Sequence, residues 1–208
     1  MSRILGTFAP DSPEWYAARA GRVGGSDVAA ICGWSPYTTR EQLLTQKATN
    51  ADTKIDTPAT RRGHLVEPAI LAWLEWRHDL TIDPIASEAT YTHDDNDRWL
   101  YNPDALTTSG VLLEAKSTTD RCTDRGWGRA GTDQVPLGYQ AQVIWGMGIL
   151  GLQVCHLGVL AGAVNGRPCL DFATYTIPFN PRIFAHIARR VDAFLADLDH
   201  LIERTPAA

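Results

Sequence analysis

The sequence predicts a single mixed α/β domain: a mixed (α+β) sheet with helices on both sides and a helical segment at the N-terminus. Three observations predict it. Helix-type spacing of apolar residues recurs in the first fifty residues and again in long stretches near 62–78, 134–151 and 180–203. Between the first two of these long helices lie short runs of β-branched and aromatic residues. The chain has 208 residues, 44% hydrophobic and 21% charged, which suits one domain with a sizeable core. The expected layout is one domain over 1–208, with an N-terminal helical segment at 1–50, a core at 61–178 and a closing helix at 180–203.

Taken in order, Ser12-Pro13-Glu14 supplies an N-cap, a proline at the first helical position and an acidic first turn, so a helix runs to about Arg19. A short helix follows Ser26-Asp27, and a third covers Thr39 to Ala48. The polar, aperiodic stretch Asn50 to Thr60 reads as a loop. Arg62 to His78 is helical, with Pro68 beginning or kinking it, and Trp73 and Trp76 are predicted core beside Leu65, Ile70 and Leu74. Strands fit Glu88 to His93, Arg98 to Tyr101 and Val111 to Ser117. A long helix covers Gln134 to Gly151, opened by Pro136. Two strands, Val154 to Ala161 and Leu170 to Ile177, are joined by the turn Asn165-Gly166-Arg167-Pro168. Asn180-Pro181 then starts an amphipathic helix through Ile183, Ile187, Val191, Phe194, Leu198 and Ile202.

Several function classes are disfavoured by composition. The first twenty residues lack the basic and apolar regions of a signal peptide, and Val143 to Leu160 is broken by glycines and by Gln153 and His156. A soluble, cytoplasmic protein is expected. The 4 cysteines, Cys32, Cys122, Cys155 and Cys169, show no metal or cluster spacing and read as free, buried thiols. There is no HExxH, GxSxG or P-loop. The net charge of -5 argues only mildly against a nucleic-acid partner, because phosphate binding needs a local basic surface and metal-holding acids count as negative.

The chemistry concentrates in LYNPDALTTSGVLLEAKSTT. On a strand, alternate residues share a face, so Leu112, Glu114 and Lys116 point one way. The turn Asn102-Pro103-Asp104 can return a second carboxylate to Glu114. Two carboxylates and a lysine suit hard divalent cations, Mg²⁺ or Mn²⁺, which prefer oxygen ligands. A pair of such ions can activate water and stabilise the leaving oxygen of a phosphodiester. Lys116 would orient or deprotonate the water, or neutralise developing charge. Separately, Gly24-Gly25-Ser26-Asp27 leading into a helix offers backbone N–H groups to a phosphate, with Arg19 and Arg22 adding charge; Asp27 is expected to cap its helix. By itself D-x9-E-x-K also fits a surface ion pair, and GGSD a plain turn.

Four segments in order then carry a resemblance: Trp15…Arg19…GGSDVAAICGWSPY, RRGHLVEP (Arg61 to Pro68), NPD…EAK (Asn102 to Lys116) and VPLGYQAQ (Val135 to Gln142). Together they resemble the lambda-exonuclease-like, YqaJ-type viral recombinase family of the PD-(D/E)xK nuclease superfamily. The resemblance implies a restriction-endonuclease-like core. It implies Asp104, Glu114 and Lys116 as the catalytic set, with Glu67 and Gln142 joining from two helices. Metal ligands would be Asp104, Glu114, Glu67 and the Ala115 carbonyl, holding two ions. Arg19 and Ser26 would hold a 5′-phosphate, with Gly25, Arg22 and Arg62 nearby.

The function implied is a Mg²⁺-dependent exonuclease of phage or prophage type, digesting one strand of duplex DNA from a 5′ end. A homotrimeric ring and a single-strand annealing partner are implied with it. Iron–sulfur relatives do not fit, for want of a cysteine cluster. An endonuclease of the same superfamily and a DNA-end-binding module without turnover remain open. The chain departs from the pattern in Ala105, where relatives often have glycine, and in lacking a lysine just before Gly63. The stretch Asp120 to Asp133 has no counterpart; its Arg121, Arg125, Trp127 and Arg129 suit either a single strand or plain solvation. Trp34 either lines the DNA site or packs its turn, and His64 reads as structural.

Overall fold

The computed structural model describes residues 2–10, 12–49 and 57–204. Most of the predicted loop Asn50 to Thr60 therefore lies outside the described residues. The elements are β1 (Ser2–Thr7), α1 (Pro13–Arg19), a 3-10 turn (Gly25–Asp27), α2 (Val28–Ile31), α3 (Arg40–Ala48), α4 (Pro58–His78) and α5 (Pro84–Glu88). There follow β2 (Ala89–His93), β3 (Asn96–Tyr101), β4 (Ala105–Leu106), β5 (Leu112–Thr118), a second 3-10 turn (Thr123–Arg125), α6 (Leu137–Leu150), β6 (Val154–Val164), β7 (Arg167–Pro178) and α7 (Pro181–Arg204).

The strands form a three-stranded antiparallel sheet, β1-β2-β3, and a four-stranded mixed sheet, β4-β5-β6-β7. In the mixed sheet β5 and β6 run parallel. Parallel neighbours need a crossover, which α6 supplies. β6 and β7 join through Asn165 and Gly166, both left-handed (φ 49° and 75°), the pair a tight hairpin with primed-turn geometry requires. The mixed sheet is packed on both faces. One face carries α6 and, beyond it, α2 and α7, around Trp145, Ile144, Leu157 and Phe194. On the other lies α4, with Ile70 and Leu74 against Leu113. Gly158 permits this close approach, since a Cβ there would stand 2.7 Å from Ile70 Cγ2.

Several sequence expectations need correction. The N-terminal segment opens on a strand, β1, whose hydrogen bonds come from the distant β2; RIL is too short to alternate and the pairing is non-local. α4 begins at Pro58, with Thr57 as cap, four residues before the expected Arg62, and runs through Pro68 without ending. α5 forms where no element is expected, although Asp83-Pro84 is the same cap-and-proline signal as at α1. Trp76 is 77% and Leu65 81% exposed, so neither is core, while Trp73 packs on Phe172. Of the cysteines, Cys32 and Cys155 are buried, but Cys169 is exposed and Cys122 half-buried. Among the described residues no helix is long and apolar enough to cross a membrane.

Candidate active site

β4 and β5 pair with Ala105 opposite Leu113 and Leu106 opposite Leu112. Continuing that register by one residue sets Asp104 opposite Glu114, and opposed residues in an antiparallel pair share a face. The D-x9-E spacing is thus the length of this hairpin. Asp104 is locked there because its Oδ2 accepts the Ala115 N–H at 2.8 Å, the donor that a longer β4 would have taken. Leu112 and Leu113 are sealed in the core, and the strand opens only from Ala115 onward. Glu114 is the last fully buried residue, at 0% exposure.

A buried carboxylate needs donors, and Glu114 has three. Tyr101 Oη donates to its Oε2 at 3.0 Å, and Gln142 Nε2 to its Oε1 at 2.6 Å. Lys116 Nζ ion-pairs with the same Oε1, as side chains two apart on one strand face can. Lys116 also stands 5.5 Å from the ring centre of Tyr139, which packs in turn on Trp127. Burial disfavours the charged lysine, but Glu114 and Asp104 reverse that and hold it protonated, well above its ordinary range. Asp104 behaves oppositely. Its desolvation, reinforced by the Glu114 charge and only partly countered by Lys116, pushes it up to about 8. Glu67, on the first half of α4, is also raised, first by burial, with Glu114 adding to it and His64 and Lys116 opposing.

Burial first, and then the surplus negative charge of two carboxylates facing one lysine, make Asp104 resist ionisation. A divalent cation would relieve that charge, and the donors are hard oxygens, as Mg²⁺ or Mn²⁺ prefers. Among the described residues no three His, Cys, Asp or Glu side chains gather into a set that could hold a metal alone. Glu67 therefore stands in electrostatic reach of the pair rather than in a three-carboxylate cage with it. The remaining ligands would have to be the Ala115 carbonyl, water and substrate phosphate, a mode common for Mg²⁺.

The Gly24–Asp27 turn docks directly on this cluster. A Cβ at Gly25 would lie 2.8 Å from Tyr101 Cε2 and 3.3 Å from Gln142 Cγ, so only glycine admits the contact. Arg19 lies over Trp15, 4.4 Å from its ring centre, alongside Gly24, and donates to Asn102 Oδ1 at 3.4 Å. Ser26 is exposed at the turn. Asp27 does not cap α2 with its side chain. Its carboxylate accepts the Gly24 N–H and pairs at 3.0 Å with buried Lys47, which needs a counter-charge. Arg22 is drawn away, donating to the carbonyls of Asp97 and Ala18. Arg62 is nearer, its Nε reaching Ser117 Oγ at 3.4 Å.

The YqaJ-like viral recombinase domain matches residues 14–153 of this sequence, two thirds of its length and all of the cluster just described. The chain belongs to that family. No curated protein matches the sequence. Among solved structures, LHK-Exo in complex with dAMP superposes with a TM-score of 0.74 at 22% identity, covering 92% of this chain and 95% of that one. A second structure of LHK-Exo, an alkaline exonuclease from Laribacter hongkongensis, gives 0.72 at 22% identity over the same shares. A phage related exonuclease from Haemophilus somnus 129PT gives 0.62 at 14% identity, over 88% of this chain and 95% of that one. At such identities these likenesses show the shared fold of the YqaJ-like chain.

Sequence reasoning about this YqaJ-like chain overlooks Tyr101 and uses Tyr139 only as a spacing mark. Tyr101 ends β3 and nothing local marks it; only its seat between Gly25 and Gly146 directs its hydroxyl to Glu114. Of the unmatched stretch, Trp127 is 4% exposed against Tyr139 and Tyr175, and Arg121 is bound to Tyr175 and Asp171. Those two are structural, which corrects the suggested DNA contact.

Proposed function

We propose that this protein is a Mg²⁺- or Mn²⁺-dependent DNA nuclease that works from the ends of linear duplexes, degrading one strand from its 5′ end and leaving a 3′ single strand. The observation that carries this reading is the seating of the Gly24–Asp27 turn on Tyr101, beside the Asp104–Glu114–Lys116 cluster, where the Gly25 and Ser26 N–H groups would meet a phosphate, those of Gly24 and Asp27 being bonded within the turn. The family and the exonuclease neighbours are consistent with it. Metal ions held by Asp104, Glu114 and the Ala115 carbonyl, two in number by the family pattern, would supply an activated water and a Lewis acid.

The chain's own groups supply the rest. Lys116, held protonated, offers positive charge to the phosphorane-like transition state and is poorly placed to act as a base. Gln142 and Tyr101 hold Glu114 in one rotamer. Arg19 and Ser26 would grip a terminal 5′-phosphate, with Gly25 giving the backbone room to approach, and Arg62 and Glu67 border the strand being cut. Arg22 is left out, its guanidinium being engaged with backbone. A trimeric ring and a strand-annealing partner belong to the same reading.

The test uses linear duplexes with and without a 5′-phosphate, beside a covalently closed circle, in Mg²⁺ or chelator. Mononucleotides released only from linear DNA, only with metal, and lost in Lys116→Ala while binding persists, are the expected result. Cutting of the closed circle would turn the reading to an endonuclease, and binding without any metal-dependent product to an end-binding module.

A further inference from the structure

α7 carries its charges in an unusual order. Between Pro181 and Arg190 it has Arg182, His186, Arg189 and Arg190 and no acid, whereas its later turns carry Asp192, Asp197, Asp199 and Glu203. The helix macrodipole favours the reverse, acids early and bases late. The acidic half is occupied within the fold: Asp192 accepts from Trp99 Nε1 and Asn96 Nδ2, Asp197 pairs with Arg40, and Asp199 with Arg98. The basic half is not. Arg182, Arg189 and Arg190 are exposed and form no ion pair with any described acid. At spacings of seven and eight residues they share one side of the helix with His186.

This basic stripe borders a cleft of about 460 Å³ lined by Trp34, Leu137, Gln140, Ala141, Ile183 and His186, with Arg182 at its rim. The rings of Trp34 and His186 stack at 6.1 Å between centroids and 20° between planes. Helix α6 joins the cleft to the active site: Gln140 and Ala141 line the one, and Gln142 donates to Glu114 in the other. Leu137 is 59% and Tyr37 88% exposed. Tyr139, also on α6, faces Lys116. Accessible aromatic faces beside unpaired arginines are what a single strand needs and a duplex cannot use, because paired bases hide their faces.

We propose that this cleft binds single-stranded DNA, a base packing against the Trp34–His186 pair while Arg182, Arg189 and Arg190 neutralise its phosphates. Its occupant is the strand that continues from the active site, so the assignment rests on the nuclease reading for its biological setting, though not for its chemistry. It also gives Trp34 a role, lining a DNA surface instead of only packing its turn.

Fluorescence anisotropy of a labelled oligo(dT) of twenty nucleotides, titrated in chelator across a range of KCl, tests the cleft without turnover. In the triple variant Arg182→Ala/Arg189→Ala/Arg190→Ala, the slope of log affinity against log salt should fall by about 2, at about 0.7 for each phosphate no longer neutralised. Trp34→Ala should weaken binding about tenfold, and Trp34→Phe, which keeps a ring in this partly buried seat, should lie between it and the parent. Unaltered affinity and salt slope in a folded arginine variant would overturn the assignment. So would a change in binding that sedimentation traces to loss of an oligomer, since the cleft would then be a subunit contact. If the parent shows no metal-dependent cleavage yet its binding responds to these substitutions, the nuclease reading fails and the cleft stands. Normal cleavage with unresponsive binding removes the cleft alone.

Discussion

Glu114 carries no exposed surface and takes hydrogen bonds from residues on three different elements, so its position is decided by what surrounds it. Tyr101 is the informative neighbour, because its ring is held between Gly25 and Gly146 regardless of its hydroxyl. Tyr101→Phe should therefore keep the fold while leaving Glu114 Oε2 without its donor. Loss of a group that orients a metal ligand commonly lowers metal affinity or turnover about 10–100-fold. Mn²⁺ affinity measured by calorimetry and kcat should both fall by that order, with KM for DNA little changed. Wild-type Mn²⁺ affinity in the folded variant would show that the hydroxyl only fills space. At this scale Asp104, Glu114 and Lys116 were legible from spacing, since strand alternation and hairpin length are local rules. Tyr101 was not, because only packing aims it.

At the scale of elements, the 3-10 turn Gly25–Asp27 and the strand β3 meet at a contact too close for any side chain. The Tyr101 ring cannot retreat, since Gly146 of α6 closes on it from another direction. Gly25→Ala should destabilise the protein by about 1–3 kcal/mol, as overpacking does. It should also blunt any preference for a 5′-phosphorylated end, because the turn must shift from Tyr101 and Gln142. Thermal unfolding and competition between phosphorylated and unphosphorylated duplexes would read the two effects. An unchanged melting temperature would mean that the turn yields freely and is not seated on the site. The glycine pair was visible in the sequence as a turn, but the reason Gly25 is glycine lies in α6 and β3. The cap-and-proline signal was equally local at Thr57-Pro58 and Asp83-Pro84, yet the first sits in a polar stretch and the second opens a helix of only five residues, too short to show a period.

For the molecule as a whole, the surplus charge at Asp104 and Glu114 links folding, pH and metal. Asp104 has its folded pKa raised from 3.8 to about 8. Between those values the metal-free folded state binds more protons than the unfolded one, so this group's contribution to stability falls as pH rises from about 4 to about 8. Metal binding needs the ionised carboxylate and should reverse the trend. The rise in melting temperature caused by saturating Mg²⁺ is thus expected to be larger at about pH 8.5 than at about pH 6, and Asp104→Asn should flatten the difference. A metal-induced shift that is the same at both pH values would remove Asp104 from the metal site. The overall charge of -5 conceals this arrangement, since acids fill the active site and the later turns of α7, while the bases stand along its first turns.

Local physics made much of this protein readable in one dimension. Apolar periodicity and caps placed most helices, an apolar run placed β5 and alternation its faces, and the hairpin spacing brought Asp104 to Glu114. What needed three dimensions were the contacts between residues far apart in the chain: β1 on β2, Gly25 on Tyr101, Trp34 on His186, and Arg22 held away from the site by the Asp97 carbonyl. Such contacts are set by side-chain volume and by the demand that every buried polar group find a partner. No spacing rule along the chain encodes either.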